Sequence, residues 1–569
     1  MSVPCFQLGA VAEAYKRNLS ALAESRAVSR LWQKDLSLWP ANGSRKHSGS
    51  ETLNWLDLSG HLEPAVTRIV ELASKLSTRG IQDVVFLALS SSSLAADLIP
   101  ALGLSTRGVR FHAVSSLEPS GLRALESRLD FTRTLFLVAS KSGKNLEMHA
   151  LLLYFLAKVK SAGVSSPGSL FVAITEDGSY LAALATQYRF QAVLTESHGF
   201  RGRFSGVQHY GLLLAGFCGL DLPEILAGIQ SVRDECVKDR PIERNPAATL
   251  AAFLAALVQS GFYRLVFRAP PPLAPLAGRL GHLVGSSSCK NGTGLLPFAG
   301  SQIADAKILD EFCAVCDIQW NDESLGAPPP AHVPFLSIPL KNIESIPGEV
   351  FRWELAVSLA CSLLGLNPFA DPDYLDGRDA AMKFIELISQ RKNPDTSRAR
   401  IVEGSLSLFV EGDLRHDLSS LNLEQALASF FALPGAGGYC AFLNFLWDTP
   451  DVSQRIDSLV AEVGLSLGIP VQSSPGPRYL HLLGQCYKGG PRGGIALMLT
   501  GDPIDRADVP GAGYTLADLR LALALGDMDA MVARRRHIVR LHLAGPPATS
   551  LAELESLITR ALKSCRRPH

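Results

Sequence analysis

The segment TLFLVASKSGKNLEMHALLLYFLAK, residues Thr134 to Lys158, decides the fold. Its first six residues are almost all apolar, which predicts a strand that helices cover on both faces. The polar turn Ser140–Asn145 follows, and an apolar pattern with helical period begins immediately after it. A strand, a short polar turn and a helix in this order form the first half of a βαβ unit. The segment therefore predicts a doubly wound α/β sheet.

The turn also has the composition of an anion-binding site. The first backbone N–H groups of a helix lack partners within the helix, and the helix dipole adds partial positive charge there. Hydroxyl, amide and ammonium groups in the turn could add to this site; they belong to Ser140, Lys141, Ser142, Lys144 and Asn145. The alternative is that Ser and Asn only cap the helix, and residue types alone leave both interpretations open.

The same rhythm of strand, loop and helix recurs along the chain. Further strand and helix pairs are predicted at Val84–Ser90 with Ser91–Leu104, Val109–Ser115 with Glu118–Leu129, and Leu170–Thr175 with Tyr180–Tyr188. A second region of this kind has its first strand at Tyr263–Ala269 and ends in the polar segment 391–400, and a third begins at Ile401. Residues 1–70 indicate helices and loops without a strand. We expect a helical N-terminal arm (1–70), two doubly wound αβα domains (71–246 and 247–395) and a C-terminal α/β unit (396–569).

Composition excludes several classes of protein. The chain has 569 residues, of which 47% are apolar and 19% charged, as expected for a folded protein of several domains. Lys plus Arg and Asp plus Glu number 54 each, so no net charge favours a polyanion or an anionic membrane surface. The N-terminus lacks a basic segment followed by an apolar run, and no stretch is apolar over ~18 residues. We therefore expect a cytoplasmic protein that binds neither nucleic acid nor membrane.

Cysteine spacing and nucleotide motifs point to a protein without metal or cofactor. Ten cysteines are too sparse for a disulfide framework in a chain of this length. Only Cys313 and Cys316 form a CxxC pair, and no second pair stands nearby to complete a zinc site. Neither GxxxxGK[ST] nor GxGxxG occurs between a strand and a helix, which argues against an ATPase or a dinucleotide enzyme.

A second hydroxyl-rich turn, Ser90–Ser93, follows the strand predicted at Val84–Ser90. Ligands of open α/β sheets collect at the carboxyl ends of strands, so this turn and Ser140–Asn145 could line one crevice. A Ser-rich helix cap is the commoner explanation for such a turn.

Several motifs resemble those of the glucose-6-phosphate isomerase family. SKSGKNLE (140–147) resembles the SKSGTTLE phosphate loop of sugar isomerase domains, and SSSSLA (90–95) stands where these isomerases have GGSSLA. RGRFS (201–205) resembles GGRFS, CKNGTGLLP (289–297) resembles GKEGKGILP, and RYLHLLGQCYKGGP (478–491) resembles RYLHSTGQLHKGGP. The resemblance covers nearly the whole chain in the same order. It is closest to the isomerase half of bifunctional transaldolase/isomerase fusions, and it implies that both doubly wound domains are of the sugar-isomerase type.

The resemblance implies an enzyme that interconverts an aldose phosphate and a ketose phosphate through a cis-enediol, without a cofactor. It implies that the phosphate of a hexose phosphate is bound by Ser92, Ser140, Lys141, Ser142 and Asn145. Catalytic roles fall on Arg203, His481, Gln485 and Lys488. The resemblance further implies a homodimer, and its fusion relatives imply a transaldolase or another pentose-phosphate enzyme as a candidate partner.

Some matching positions have changed. The family's Glu base in ESTGK aligns with Ser286, whose hydroxyl has no useful basicity near neutral pH. The segment ADPDYLDGR (370–378) resembles DQPNVEAAK and places Asp371 at the Gln and Arg378 at the Lys. Arginine keeps the charge but does not readily release a proton. Arg201 replaces the first Gly of GGRFS, which puts a bulky cation where the family's backbone runs close to the substrate.

Two function hypotheses follow. The first is an isomerase acting on glucose 6-phosphate or a related phosphosugar, with a substitute base such as His481 or Asp371. The second is a catalytically inactive phosphosugar sensor or partner subunit. Isomerisation of an amino or shorter-chain sugar phosphate is a third interpretation that the sequence leaves open.

Overall fold

The computed structural model describes most of the chain. The described residues are 4–41, 49–57, 66–72, 74, 79–89, 91–104, 109–196, 202–204, 211–212, 215–216, 218–237, 240–299, 311–321, 323, 325–392, 394 and 398–565. The strands are β1 (Cys5–Gln7), β2 (Asp83–Leu87), β3 (Arg110–Val114), β4 (Thr134–Ala139), β5 (Phe171–Glu176), β6 (Ala192–Glu196), β7 (Arg264–Arg268), β8 (Leu296–Ala299), β9 (Cys313–Trp320), β10 (Phe335–Leu340), β11 (Ala399–Glu403), β12 (Leu406–Val410), β13 (Tyr439–Phe445), β14 (Val471–Pro475), β15 (Gly494–Gly501) and β16 (His537–Leu543).

The α-helices of the described residues lie between and after these strands. They are α1 (Ala12–Glu24), α2 (Ala27–Trp32), α3 (Ser91–Ala101), α4 (Pro119–Glu126), α5 (Leu146–Ser161), α6 (Tyr180–Gln187), α7 (Leu222–Glu235), α8 (Pro246–Gln259), α9 (Ala274–Ser288), α10 (Ile346–Leu363), α11 (Tyr374–Ser389), α12 (Leu414–Leu418), α13 (Leu423–Phe431), α14 (Pro450–Leu467), α15 (Arg478–Leu482), α16 (Gly484–Gly489), α17 (Leu516–Ala533) and α18 (Pro547–Cys565).

The strands form three sheets. The first has the order β3-β2-β4-β5-β6 with every neighbouring pair parallel. The second has the order β1-β10-β9-β7-β8, in which β1 pairs antiparallel with β10 and the other pairs are parallel. The third has the order β11-β12-β16-β15-β13-β14, with antiparallel pairs at the β11 edge and parallel pairs elsewhere. The predicted α/β class with doubly wound parallel sheets is confirmed.

Strand β4 shows why the apolar runs predict strands covered on both faces. All six of its residues are buried. Leu135 and Leu137 pack into one hydrophobic core, whereas Phe136 and Val138 pack into a different one. Since successive side chains of a strand point to opposite faces, an uninterrupted apolar run supplies both cores at once.

The expectation that residues 1–70 contain no strand is wrong. Cys5–Gln7 forms the edge strand β1, with Cys5 opposite Ser337 of β10. Three residues are too short to show a strand period, so the sequence carries no local signal for it. The polar segment 391–400 is also not wholly a linker, because β11 begins at Ala399. Among the loops expected in residues 1–70, the stretch 42–48 lies outside the described residues.

The cysteines of the CxxC pair do not face each other. Both lie on β9 and are fully buried, but Cys313 belongs to one hydrophobic core and Cys316 to another. All ten cysteines are free thiols. Among the described residues, no helix is both long enough and apolar enough to cross a bilayer.

Candidate active site

A cleft of about 230 Å³ lies at the carboxyl end of β4, beside α9 and α15. It brings together many of the residues singled out from the sequence. These are Ser140, Lys141, Ser142, Asn145, Arg203, Ser286, Asp371, His481 and Gln485. The position agrees with the general rule that ligands of open α/β sheets bind outside the carboxyl ends of the strands.

The turn between β4 and α5 is held by its own hydroxyls. Ser140 Oγ accepts a hydrogen bond from the Gly143 N–H at 3.0 Å, and Ser142 Oγ accepts one from the Lys144 N–H at 3.3 Å. Gly143 has φ +70°, and a Cβ added there would collide with the backbone of Leu181. Only glycine fits this position, so the tight turn that presents the start of α5 to the cleft depends on it.

Asn145 occupies the N-cap position of α5 without capping the helix. Its backbone has the extended conformation of an N-cap residue, yet its side chain makes no capping hydrogen bond. The side chain instead lines the cleft. The interpretation that Asn145 only caps the helix therefore does not hold, and the first N–H groups of α5 do not bond to its amide.

The two lysines of the turn differ in position. Lys141 lines the cleft, and its Nζ lies 3.0 Å from Glu176 Oε1 with 34% of the side chain exposed. Lys144 is exposed and does not line the cleft. Of the two lysines, only Lys141 therefore brings its positive charge to the cleft.

Arg203 lies in the cleft wall and is only 6% exposed. Its guanidinium donates to the Pro368 carbonyl through Nε at 3.1 Å and Nη2 at 2.5 Å, and through Nη2 to the Ala370 carbonyl at 3.2 Å. Its Nη1 forms an ion pair of 2.6 Å with Asp371 Oδ1. Protein groups thus hold a buried cation at the edge of the cleft and occupy most of its donors.

Helix α9 contributes Ser286 and, one turn before it, His282. Ser286 Oγ donates to the Leu482 carbonyl at 2.6 Å. His282 is 4% exposed and lines the cleft, although none of the quoted motifs contains it. The spacing of four residues from Ser286 is the signal that could have found it, because residues i and i+4 share a helix face.

His481 forms a buried pair with Glu147, and each side chain is 6% exposed. The His481 Nε2 and Glu147 Oε1 atoms lie 2.9 Å apart. The carboxylate orients the imidazole, as in other carboxylate–histidine pairs. Glu147 ends the quoted SKSGKNLE motif, but no sequence signal links it to a histidine 334 positions away.

The other two residues of the C-terminal motif are bound to protein. Gln485 donates to the Cys289 carbonyl at 3.0 Å and to Asp373 Oδ2 at 2.6 Å. Lys488 lines a small cavity next to the cleft and forms a buried ion pair with Asp527. Lys488 therefore does not line the cleft.

Four positions singled out from the sequence have side chains outside the described residues. The Ser92 and Arg378 side chains lie outside the described residues, although their backbones belong to α3 and α11. Arg201 lies wholly outside them, as does Ser90.

Comparisons with known proteins agree with this geometry. No family model matches the chain. A curated glucose-6-phosphate isomerase from Acaryochloris marina is 28% identical over 239 residues, which are 40% of this chain and 42% of that protein. One from Synechococcus sp. (strain JA-2-3B'a(2-13)) is 25% identical over 347 residues, covering 53% of this chain and 64% of that protein. The matches thus span about two fifths to two thirds of these relatives.

Among solved structures, a glucose-6-phosphate isomerase from Chlamydia trachomatis has the same fold. Its TM-score is 0.56 at 16% identity, with 67% of this chain and 87% of that chain covered. The doubly wound sheets, the turn at the start of α5 and the curated relatives agree with one another. Over part of its length the chain is thus similar in sequence to curated glucose-6-phosphate isomerases, and it shares the fold of a solved one.

Proposed function

We propose that the cleft binds a hexose phosphate and isomerises it between its aldose and ketose forms through an enediol. The proposal rests on one observation: a hydroxyl-rich helix start, a buried arginine and a carboxylate-oriented histidine line a single cleft. These are the groups that such a reaction needs for phosphate, for a negatively charged oxygen and for proton exchange.

The phosphate is assigned to the start of α5. Asn145 has an uncommitted side chain there, Ser140 and Ser142 provide hydroxyl oxygens, and Lys141 provides charge. Unpaired backbone N–H groups and the helix dipole stabilise a dianion at such a position.

Arg203 is assigned to the enediolate. A buried cation held in place by backbone carbonyls needs no rearrangement as negative charge develops on the sugar oxygen. His481, oriented by Glu147, is assigned to sugar ring opening, where a proton moves between the ring oxygen and the C1 hydroxyl.

A phosphosugar-binding protein without turnover is the second candidate function. Ser286 stands where the family has a carboxylate base, and its hydroxyl is committed to the Leu482 carbonyl. The phosphate-binding part of the cleft would serve such a sensor equally well.

A coupled assay with fructose 6-phosphate, together with titration calorimetry, separates the two functions. Turnover that is lost in His481→Ala and retained in Ser286→Ala supports the isomerase. Measurable heat of binding without turnover supports the sensor. Neither heat nor turnover with hexose monophosphates contradicts both.

A further inference from the structure

We infer that His282 transfers the proton between C2 and C1 of the bound sugar, the step for which Ser286 has no basic group. This inference rests on the proposed isomerisation and names the residue that carries its central step.

The position of His282 suits this step. His282 and Ser286 lie four residues apart on α9 and both line the cleft. One helical turn is about 5.4 Å, so the imidazole lies close to the position where the family has its base. Arg203, assigned to the enediolate, lines the same cleft.

The imidazole is available for a ligand. His282 is 4% exposed, and its Nδ1 has no hydrogen-bond partner among the described residues. Leaving a buried polar atom unpaired costs on the order of 1–3 kcal/mol, so this nitrogen gains from a partner and is not committed to one within the protein.

The other candidate bases in the cleft are already paired. His481 is hydrogen-bonded to Glu147, and Asp371 is paired with Arg203. His481 is already assigned to ring opening, and the charge of Asp371 is balanced by Arg203, whereas His282 Nδ1 has neither an assigned role nor a protein partner among the described residues.

Burial keeps His282 neutral. It lowers the pKa of the imidazole well below its usual value, and the charges of Arg279, Arg203 and His481 lower it further, while a hydrogen bond to the His481 backbone raises it. A neutral imidazole can accept a proton, and a bound phosphate dianion would raise its basicity.

The step balances without a cofactor. The imidazole takes the proton from C2 of the open-chain aldose, and the C–H electron pair forms the C1=C2 bond while O1 gains negative charge facing Arg203. The O2 hydroxyl proton then passes to O1, and the imidazolium returns its proton to C1. The products are the ketose and the neutral imidazole.

His282 also borders a second cavity, of about 180 Å³, together with Gln472 and Arg478. Gln472 Oε1 and Arg478 Nε have no hydrogen-bond partner in the described part of the chain. A cavity of this size with two unpaired polar atoms in its wall accommodates water, which gives a protonated imidazole a route for exchange with solvent. The isomerisation should therefore introduce deuterium into the sugar when it runs in D2O.

The test is ¹H NMR of fructose 6-phosphate in D2O with the full-length protein, which reports isomerisation and deuterium incorporation together. We expect His282→Gln to lower both by about 10²–10⁴-fold, the range of general base catalysis, while calorimetry gives affinity within about threefold of wild type. The control is His149→Gln on α5, a half-buried histidine that does not line the cleft and should leave both rates unchanged.

A double variant distinguishes loss of the base from a folding defect in His282→Gln. His282→Gln combined with Ser286→Glu should recover turnover, because a carboxylate one helical turn away replaces the imidazole. Turnover of His282→Gln within about threefold of wild type would overturn the inference and leave the proposed isomerase intact. A wild-type protein that binds the sugar but neither isomerises nor exchanges it would overturn the isomerase, and the inference with it.

Discussion

Substitution by alanine should have different effects at two asparagines that occupy helix N-cap positions. Asn245 caps α8: its Oδ1 accepts from the N–H groups of Ala247 and Ala248, both at 3.1 Å, and it is 1% exposed. Asn145 stands at the N-cap of α5 but makes no such bond and faces the cleft. Asn145→Ala should therefore affect binding, and Asn245→Ala should affect stability.

The magnitudes follow from the contacts. Loss of an N-cap side chain costs about 1–2 kcal/mol of the free energy of unfolding, which is the expectation for Asn245→Ala. Asn145→Ala removes no capping bond and should cost less than about 0.5 kcal/mol. A hydrogen bond from the Asn145 amide to a phosphate dianion is worth about 1.5–3 kcal/mol, so its loss should raise the Kd for fructose 6-phosphate roughly 10- to 100-fold.

Urea unfolding gives the stabilities, and titration calorimetry with fructose 6-phosphate gives the affinities. Asn245→Ala should lower the stability and keep wild-type affinity, whereas Asn145→Ala should keep the stability and lower the affinity. The reasoning is refuted if Asn145→Ala is destabilised as much as Asn245→Ala and binds fructose 6-phosphate like the wild type.

Three other substitutions test the site and its surroundings. Gly143→Ala places a Cβ at φ +70° against the backbone of Leu181. We expect the free energy of unfolding, measured by thermal unfolding, to fall by about 1–2 kcal/mol and fructose 6-phosphate to bind more weakly. An unchanged Tm would contradict the inference that this turn requires glycine. Asp371→Asn leaves the buried Arg203 without its counter-ion. Because 28% of the Asp371 side chain is exposed, we expect the free energy of unfolding in urea to fall by about 1–3 kcal/mol. An unchanged value would show that the ion pair does not stabilise the fold. Burial lowers the pKa of Lys290 from 10.5 to about 8. Between these pH values the unfolded chain therefore binds more protons than the folded chain. The free-energy cost of burying the charged ammonium then disappears as the pH rises. The unfolding free energy of the wild type minus that of Lys290→Met should therefore grow by up to about 3 kcal/mol from pH 8 to 10.5, and a constant difference would contradict this assignment.

The sequence predicts the parts of the fold that have strong local signals. The prediction for Thr134–Ser140 ends one residue beyond β4, because an apolar run and a polar turn mark that strand clearly. Strand β1 is too short to show a period, and β14 ends in SSP, which reads as a loop. Both are strands because a neighbouring strand pairs with them, and sequence periodicity does not report that pairing.

Several motifs predict residues of the site, but local sequence explains their proximity only within one of them. Ser140, Ser142 and Asn145 lie together because they are close in sequence. The His481–Glu147 contact joins residues 334 positions apart, and the free His282 nitrogen follows from packing that no motif records. The domain boundaries, the dimer and a transaldolase partner stay predictions.

The most direct test of the central claim is a crystal structure of the protein with fructose 6-phosphate bound. We expect the phosphate at the start of α5, within hydrogen-bond distance of Ser140, Ser142 or Asn145, with C1 and C2 of the sugar within ~3–3.5 Å of His282. A phosphate bound elsewhere, with the start of α5 unoccupied, would contradict the assignment of this cleft.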